Sequence, residues 1–143
     1  MHEEAAPLRS LLDRAAIDDL LTEFVHRLDE RDFTGYAALF TEDAALRMPG
    51  AEHHGRAGLA EYVSADLGRY HRTHHLSTAH RIRIDGDHAT SRSVMHAVHL
   101  RGADDPTDWW AVGGWYDNTY RRVGSGWLIH TVDITALWLG EGA

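Results

Sequence analysis

The sequence predicts an α+β domain in which helices come first and a meander of long antiparallel strands follows, the helices covering one face of a curved sheet. Three observations carry that expectation. Apolar residues recur at three- and four-residue steps from Leu8 to Leu28, and the period changes to two after Thr73. Asp85-Gly86-Asp87 and Gly124-Ser125-Gly126 then supply tight turns between the alternating segments. With 143 residues, 43% of them hydrophobic, the chain is long enough for one real core and too short for two. Residues 1–143 are therefore expected to form a single domain.

Taken in order, the stripe Leu8, Leu11, Leu12, Ala15, Leu20, Leu21, Phe24, Val25 and Leu28 predicts an amphipathic helix ending near Glu30 or Arg31. A short second helix, "DFTGYAALF", starts with Asp32 as its N-cap, and "EDAALRM" reads as a first strand stopped by Pro49-Gly50. A third helix covers "GLAEYVSADLGRY". The long strands are "HHLSTAHRIRI", "HATSRSVMHAVHL", "WWAVGGWYDNTYRRV" and "WLIHTVDITALWL". No internal repeat, low-complexity tract or linker interrupts them.

Composition removes several functions. The chain has no cysteine, so thiol nucleophiles, thiolate metal sites and disulfides are out. Its 14 basic residues are all arginine, which excludes a lysine Schiff base. A formal net charge of -8 without a basic stripe argues against a nucleic-acid partner. No apolar run approaches a membrane span and no signal-peptide pattern opens the chain, so no membrane partner and a cytoplasmic home are expected.

The stretch "YHRTHHLSTAHRI", Tyr70 to Ile82, holds four of the 12 histidines. On a helix, His71 and His74 or His75 would meet at ligand spacing. The change to strand periodicity falls inside the stretch, however, and puts His74 and His75 on opposite faces. With no HExxH pattern elsewhere, no metal and no other cofactor are expected.

Asp29 continues the buried stripe of the first helix, four residues beyond Val25 and eight beyond Leu21. Either it needs a buried partner, or the helix has frayed and it caps the next one. His99 shares a strand face with Ala89, Ser91, Ser93, Met95 and Ala97, small residues that leave room for a ligand. Tyr116, Asn118 and Tyr120 share one face of the third long strand, where a hydroxyl could polarise a carbonyl and an amide orient it. Core packing is the competing reading for these, and surface placement for His99. Tyr36 on the second helix is a further candidate donor.

The order of elements, with "RAAIDDLLTEFVHRLDERDFTGYAALFTEDAAL", "HHLSTAHRIRIDGDHATSRS" and "GGWYDNTYRRVGSGWLI", resembles the SnoaL-like branch of the NTF2-like superfamily over nearly the whole chain. That resemblance implies a cone, a strongly curved antiparallel sheet wrapped around three N-terminal helices, with a pocket at the wide end. In chemistry the nearest resemblance is to scytalone dehydratase-like proteins. It puts their helix-end Asp on Asp29 in "RLDERD", their two catalytic histidines on His75 in "HHLS" and His99 in "AVHLR", and their carbonyl-binding Asn near Tyr116. Leu28 and Met48 stand where those proteins have two tyrosines orienting a water, so Met48 becomes a wall residue.

His75 is the partner for Asp29 by this resemblance, yet strict alternation sets it opposite Ile82 and Ile84. A bulge between His75 and Ile82 would bring it to the pocket; a regular strand would bring His80 instead. The resulting expectation is a cofactor-free dehydratase or hydratase for a small hydroxylated carbonyl compound, working through an enolate. Isomerisation or cyclisation through the same enolate is the alternative, and a binding or scaffold subunit with five tryptophans another. A homodimer through the outer sheet face is also expected, with Trp109, Ala111 and Trp115 outward. The last strand would add either Trp127, Ile129 and Leu137 or Leu128, Val132, Ile134 and Trp138.

Overall fold

The computed structural model describes residues 2–142. The chain runs α1 (His2–Asp29), α2 (Phe33–Ala37), β1 (Phe40–Met48), β2 (Ala51–His54), α3 (Leu59–Leu67), β3 (Arg72–Asp85), β4 (His88–Leu100), β5 (Trp109–Val123) and β6 (Gly126–Glu141). The class is α+β, as the change of period predicts.

In α1, Ile17, Leu21, Phe24 and Leu28 form the inward stripe, each 4% exposed or less. The stripe begins later than its sequence pattern: Leu8, Leu11 and Leu12 are all more than half exposed. Periodicity continues there, but the packing partner does not. Where α1 nears the sheet, Asp13 takes both Arg122 Nη atoms at 2.8 and 2.9 Å and the Trp127 indole N–H at 3.0 Å. This group pins α1 to the β5–β6 hairpin.

The other end of α1 is built by local chemistry. Arg31 adopts φ 62° and donates to the carbonyls of Tyr70 and His71, tying the helix end to the start of β3. Asp32 caps α2 as expected, accepting from the Gly35 N–H at 2.9 Å, and Arg27 holds its other oxygen.

The sheet order is β2-β1-β6-β5-β4-β3. Every pairing is antiparallel except β1 with β6, which is parallel, so the sheet is mixed rather than wholly antiparallel. Helix α1 packs against both β3 and β6, three places apart in that order, which requires the sheet to bend round the helix. Bulges supply the bend. One lies in β3 between Thr78 and Arg81, and β6 has two, opposite Thr119/Tyr120 and Gly113/Gly114.

The β6 bulges correct the expected faces. Each moves the parity by one, so Trp127, Ile129 and Val132 are all buried and Ile134 follows them inward. Leu137 and Trp138 are exposed, and neither of the two alternating sets survives intact. On the outer face the Trp138 indole lies over Gly113, where a Cβ would stand 2.0 Å from the ring. Among the described residues no helix is long and apolar enough to cross a membrane.

Candidate active site

Between the helices and the bent sheet lies one cavity of about 330 Å³. Its floor comes from α1 through Phe24 and Leu28 and from β4 through Met95, Ala97 and His99. Strand β5 adds Trp110, Val112 and Tyr116, α2 adds Tyr36, and α3 closes one side with Val63, Asp66 and Leu67.

The bulge decides which β3 histidine reaches this space. Ala79 sits at φ 54°, and Thr78 and Ala79 both face outward. His75 and Ser77 therefore point inward before the bulge, and His80, Ile82 and Ile84 after it. The His75 side chain is only 6% exposed and lines the cavity.

Behind it stands Asp29. Its carboxylate accepts from His75 Nδ1 at 2.7 Å, from the His75 backbone N–H at 2.9 Å and from Thr73 Oγ1 at 3.1 Å. Burial pushes its pKa up, but the two bonds to His75 and the one from Thr73 outweigh that, so the net shift is downward. An ionised carboxylate on Nδ1 makes that nitrogen the donor. The His75 Nε2 is then left with a free lone pair.

His99 stacks flat on Trp110, ring centroids 3.8 Å apart and planes 2° apart, and its ring lies 6.1 Å from that of His75. Burial, with the nearby His75, lowers its pKa to about 4. The ring is therefore neutral at physiological pH. Burial likewise raises the pKa of Tyr36 and Tyr116, keeping both hydroxyls protonated as donors. The charge of Asp29 adds to the rise at Tyr116, and Tyr116 adds to that at Tyr36, which places the two phenols within electrostatic reach of each other and of the Asp29–His75 pair.

Of the residues singled out from sequence, His75, His99, Tyr36, Tyr116 and Met48 line the cavity, with Asp29 one layer behind. His80 does not. Although inward, it lies beyond the bulge, with Nδ1 2.7 Å from the fully buried Ser93 Oγ and Nε2 3.8 Å from Asp18. Asn118 is also excluded: parity gives it the face of Tyr116, but it sits farther along β5 in the packed core, donating to the Tyr120 hydroxyl at 3.2 Å.

Several wall residues were not singled out, among them Tyr62, Trp110 and Asp66. Trp110 is legible by parity, since it shares the even-numbered face of β5 with Tyr116. Asp66 follows Val63 by three residues on α3 and so borders the buried stripe Leu59, Val63, Leu67. Among the described residues no group of three or more His, Cys, Asp or Glu side chains is arranged to hold a metal ion.

Comparison with known proteins agrees with this architecture. The SnoaL-like domain matches residues 9–133. The chain is 29% identical to protein Rv2910c of Mycobacterium tuberculosis over 119 residues, 82% of this chain and 80% of that one. It superposes on a protein from Novosphingobium aromaticivorans provisionally named a scytalone dehydratase, with TM-score 0.83 and 21% identity over 94% of this chain and 90% of that one. A hexachlorocyclohexane dehydrochlorinase, LinA type 2, gives TM-score 0.85 at 21% identity, covering 96% and 93%. At that identity the two structural likenesses establish the shared NTF2-like fold.

Proposed function

The chain belongs to the SnoaL-like family, and we propose that it is a lyase of the dehydratase or hydratase type for a small hydroxylated carbonyl compound. One observation carries the reading: the Asp29–His75 pair presents a free imidazole nitrogen to an open, mostly apolar cavity that is also lined by the phenols of Tyr36 and Tyr116. Bulky side chains would fill the space in a scaffold subunit, and here they do not.

In the proposed reaction the substrate carbonyl oxygen accepts hydrogen bonds from Tyr116 and Tyr36. Nε2 of His75 removes the proton alpha to the carbonyl, and the electron pair moves into the enolate held by the phenols. Asp29 stabilises the imidazolium without touching substrate. Collapse of the enolate breaks the C–O bond at the beta carbon, and His75 returns its proton to the departing hydroxide, so the products are an enone and water. Assistance of this kind is typically worth ~10²–10⁴-fold. His99, neutral at working pH, positions the hydroxyl by hydrogen bonding rather than acting as a strong acid.

Isomerisation or cyclisation is a second reading, supported by Leu28 and Met48. Both are wall residues with no polar group to orient a water on the leaving hydroxyl. One experiment separates the readings. Bicyclic beta-hydroxy ketones incubated in D₂O should exchange the alpha proton and then gain enone absorbance. Exchange without enone would favour isomerisation or cyclisation. His75→Ala should abolish both signals with the fold intact; normal turnover by that variant would remove the acid–base assignment.

A further inference from the structure

Resting on the enzymatic reading above, we infer that Arg31 is a positioning residue for the reaction: its guanidinium grips the chain just before β3 and so sets how closely His75 approaches Asp29. The first sign is a backbone conformation. Among the described residues only Arg31 and Ala79 adopt a positive φ without being glycine, and they stand two residues after Asp29 and four after His75. Ala79 belongs to the bulge in β3. Arg31 belongs to the end of α1.

That end is closed by a Schellman turn, in which the Asp32 N–H donates to the Arg27 carbonyl at 2.9 Å and the Arg31 N–H to the Leu28 carbonyl at 3.1 Å. Glycine fills the left-handed position of such a turn without steric cost, whereas here Arg31 holds it at φ 62°. A side chain kept on a strained backbone points to a task for its functional group. Nη2 donates to the carbonyls of both Tyr70 and His71, the latter at 2.9 Å.

Both ends of this grip lie next to the dyad. Asp29 closes α1 two residues before Arg31, while Thr73 and His75 follow His71 by two and four residues and supply the three bonds that Asp29 accepts. The His71 N–H donates to the Leu100 carbonyl at 2.9 Å, which fixes the gripped segment to β4. Tyr70 in turn packs its ring 5.0 Å from that of His99 and 6.0 Å from that of Trp110. Without the guanidinium, the bonds on Asp29 would have to hold α1 against the start of β3 as well as align the base. A displacement of ~1 Å in such a pair can cost ~10²-fold in rate. Arg31 does not line the cavity, so its part is alignment and not contact with substrate.

Proton NMR in water, without substrate, tests this. The His75 Nδ1 proton, held on an ionised carboxylate, should resonate far downfield and is assigned by its disappearance in His75→Ala. Arg31→Gly relieves the backbone and deletes the guanidinium. In it that proton should exchange with water at least about ten-fold faster, while Tm stays within about 8 °C of wild type. On a substrate found by the D₂O exchange screen, kcat should fall about ten-fold or more and KM stay within about two-fold. In an Asp29→Asn background the same change should cost less than about two-fold, since no dyad is left to align. Arg31→Asn, whose side chain also tolerates the left-handed position, should behave as Arg31→Gly does. The inference is overturned by the lack of a downfield proton in wild type, by exchange that stays at its wild-type rate in either folded variant, or by a full kcat loss in the Asp29→Asn background. A Tm fall beyond about 8 °C in both variants also overturns it, by making Arg31 a general support of the fold. Exchange reads the pair without turnover, so a His75→Ala protein that stayed active would sink the catalytic reading and leave the NMR test standing.

Discussion

Replacing Asp29 by Asn keeps the shape of the side chain and removes its charge. The carboxylate now accepts three hydrogen bonds, two of them from His75. An amide nitrogen facing Nδ1 would force that atom to accept, moving the imidazole proton to Nε2 and blocking the base. The charge effect can be sized. With charge centres about 4 Å apart and an effective dielectric of about 20, carboxylate and imidazolium attract by roughly 4 kcal/mol. At 1.36 kcal/mol per decade that is roughly 10³ in rate. Because Asp29 is not on the cavity wall, KM should barely move. Stopped-flow or steady-state kinetics on a substrate found by the exchange screen gives kcat and KM separately. The double variant with His75→Ala should be no slower than His75→Ala alone, since the two side chains act as a unit. A kcat for Asp29→Asn above about a tenth of wild type would refute the dyad, as would additive losses in the double variant.

Other outcomes follow from the same fold. Asp13 is held at about 2, well below the usual 3.8, by its hydrogen bonds from Arg122 and then Trp127. Its stabilisation is therefore complete above about pH 4 and is lost as pH falls toward 2. Thermal melts should show wild type losing an increment over that range that Asp13→Asn lacks; parallel curves would contradict it. At neutral pH Asp13→Ala should cost about 3 kcal/mol, or roughly 6–12 °C in Tm, with kcat unchanged. Dialysis against a strong chelator should leave the rate intact, and loss restored by a divalent ion would revive a metal reading of the histidine-rich stretch. A symmetric dimer is expected through the outer face around Trp138, which is 44% exposed, and Leu137, 57% exposed. Sedimentation of dilute protein as a 16.1 kDa species would contradict it, and Trp138→Glu should weaken the association.

Local periodicity carried far in this chain, and non-local geometry marks where it stopped. The buried face of β4, Ala89 to His99 in steps of two, is where alternation puts it, because β4 pairs regularly with β5 along its length. Asp32 as a cap and Tyr116 facing inward were legible for the same reason: each depends on neighbours close in sequence. β2 was not. Its four residues, "AEHH", are mostly exposed and carry no apolar alternation, so only the pairing with β1 reveals it. The parallel contact of β1 with β6 joins segments over 80 residues apart and leaves no trace in either pattern. His80 and Asn118 show the remaining gap: alternation assigns a side but not a height, and both lie inward at levels where the core is already closed.

The kink at Thr78 and Ala79 works as a change of phase halfway along a strand. Two inward registers coexist on β3, one ending at Ser77 and one starting at His80, and a bulge that absorbs one extra residue keeps both in step with β4. Loss of the extra residue would leave a regular strand with His75 and Ser77 still inward beside His80, Ile82 and Ile84. Ironing out the bulge with every residue kept would instead force a choice. The second register is anchored by Ile82 and Ile84 against the core, so the first would yield, turning Leu76 toward the cavity and His75 toward water with no side chain replaced. Catalytic competence in such a strand is thus encoded partly by where the backbone breaks step. When relatives are aligned, a one-residue gap here is what keeps a matched histidine on the same face.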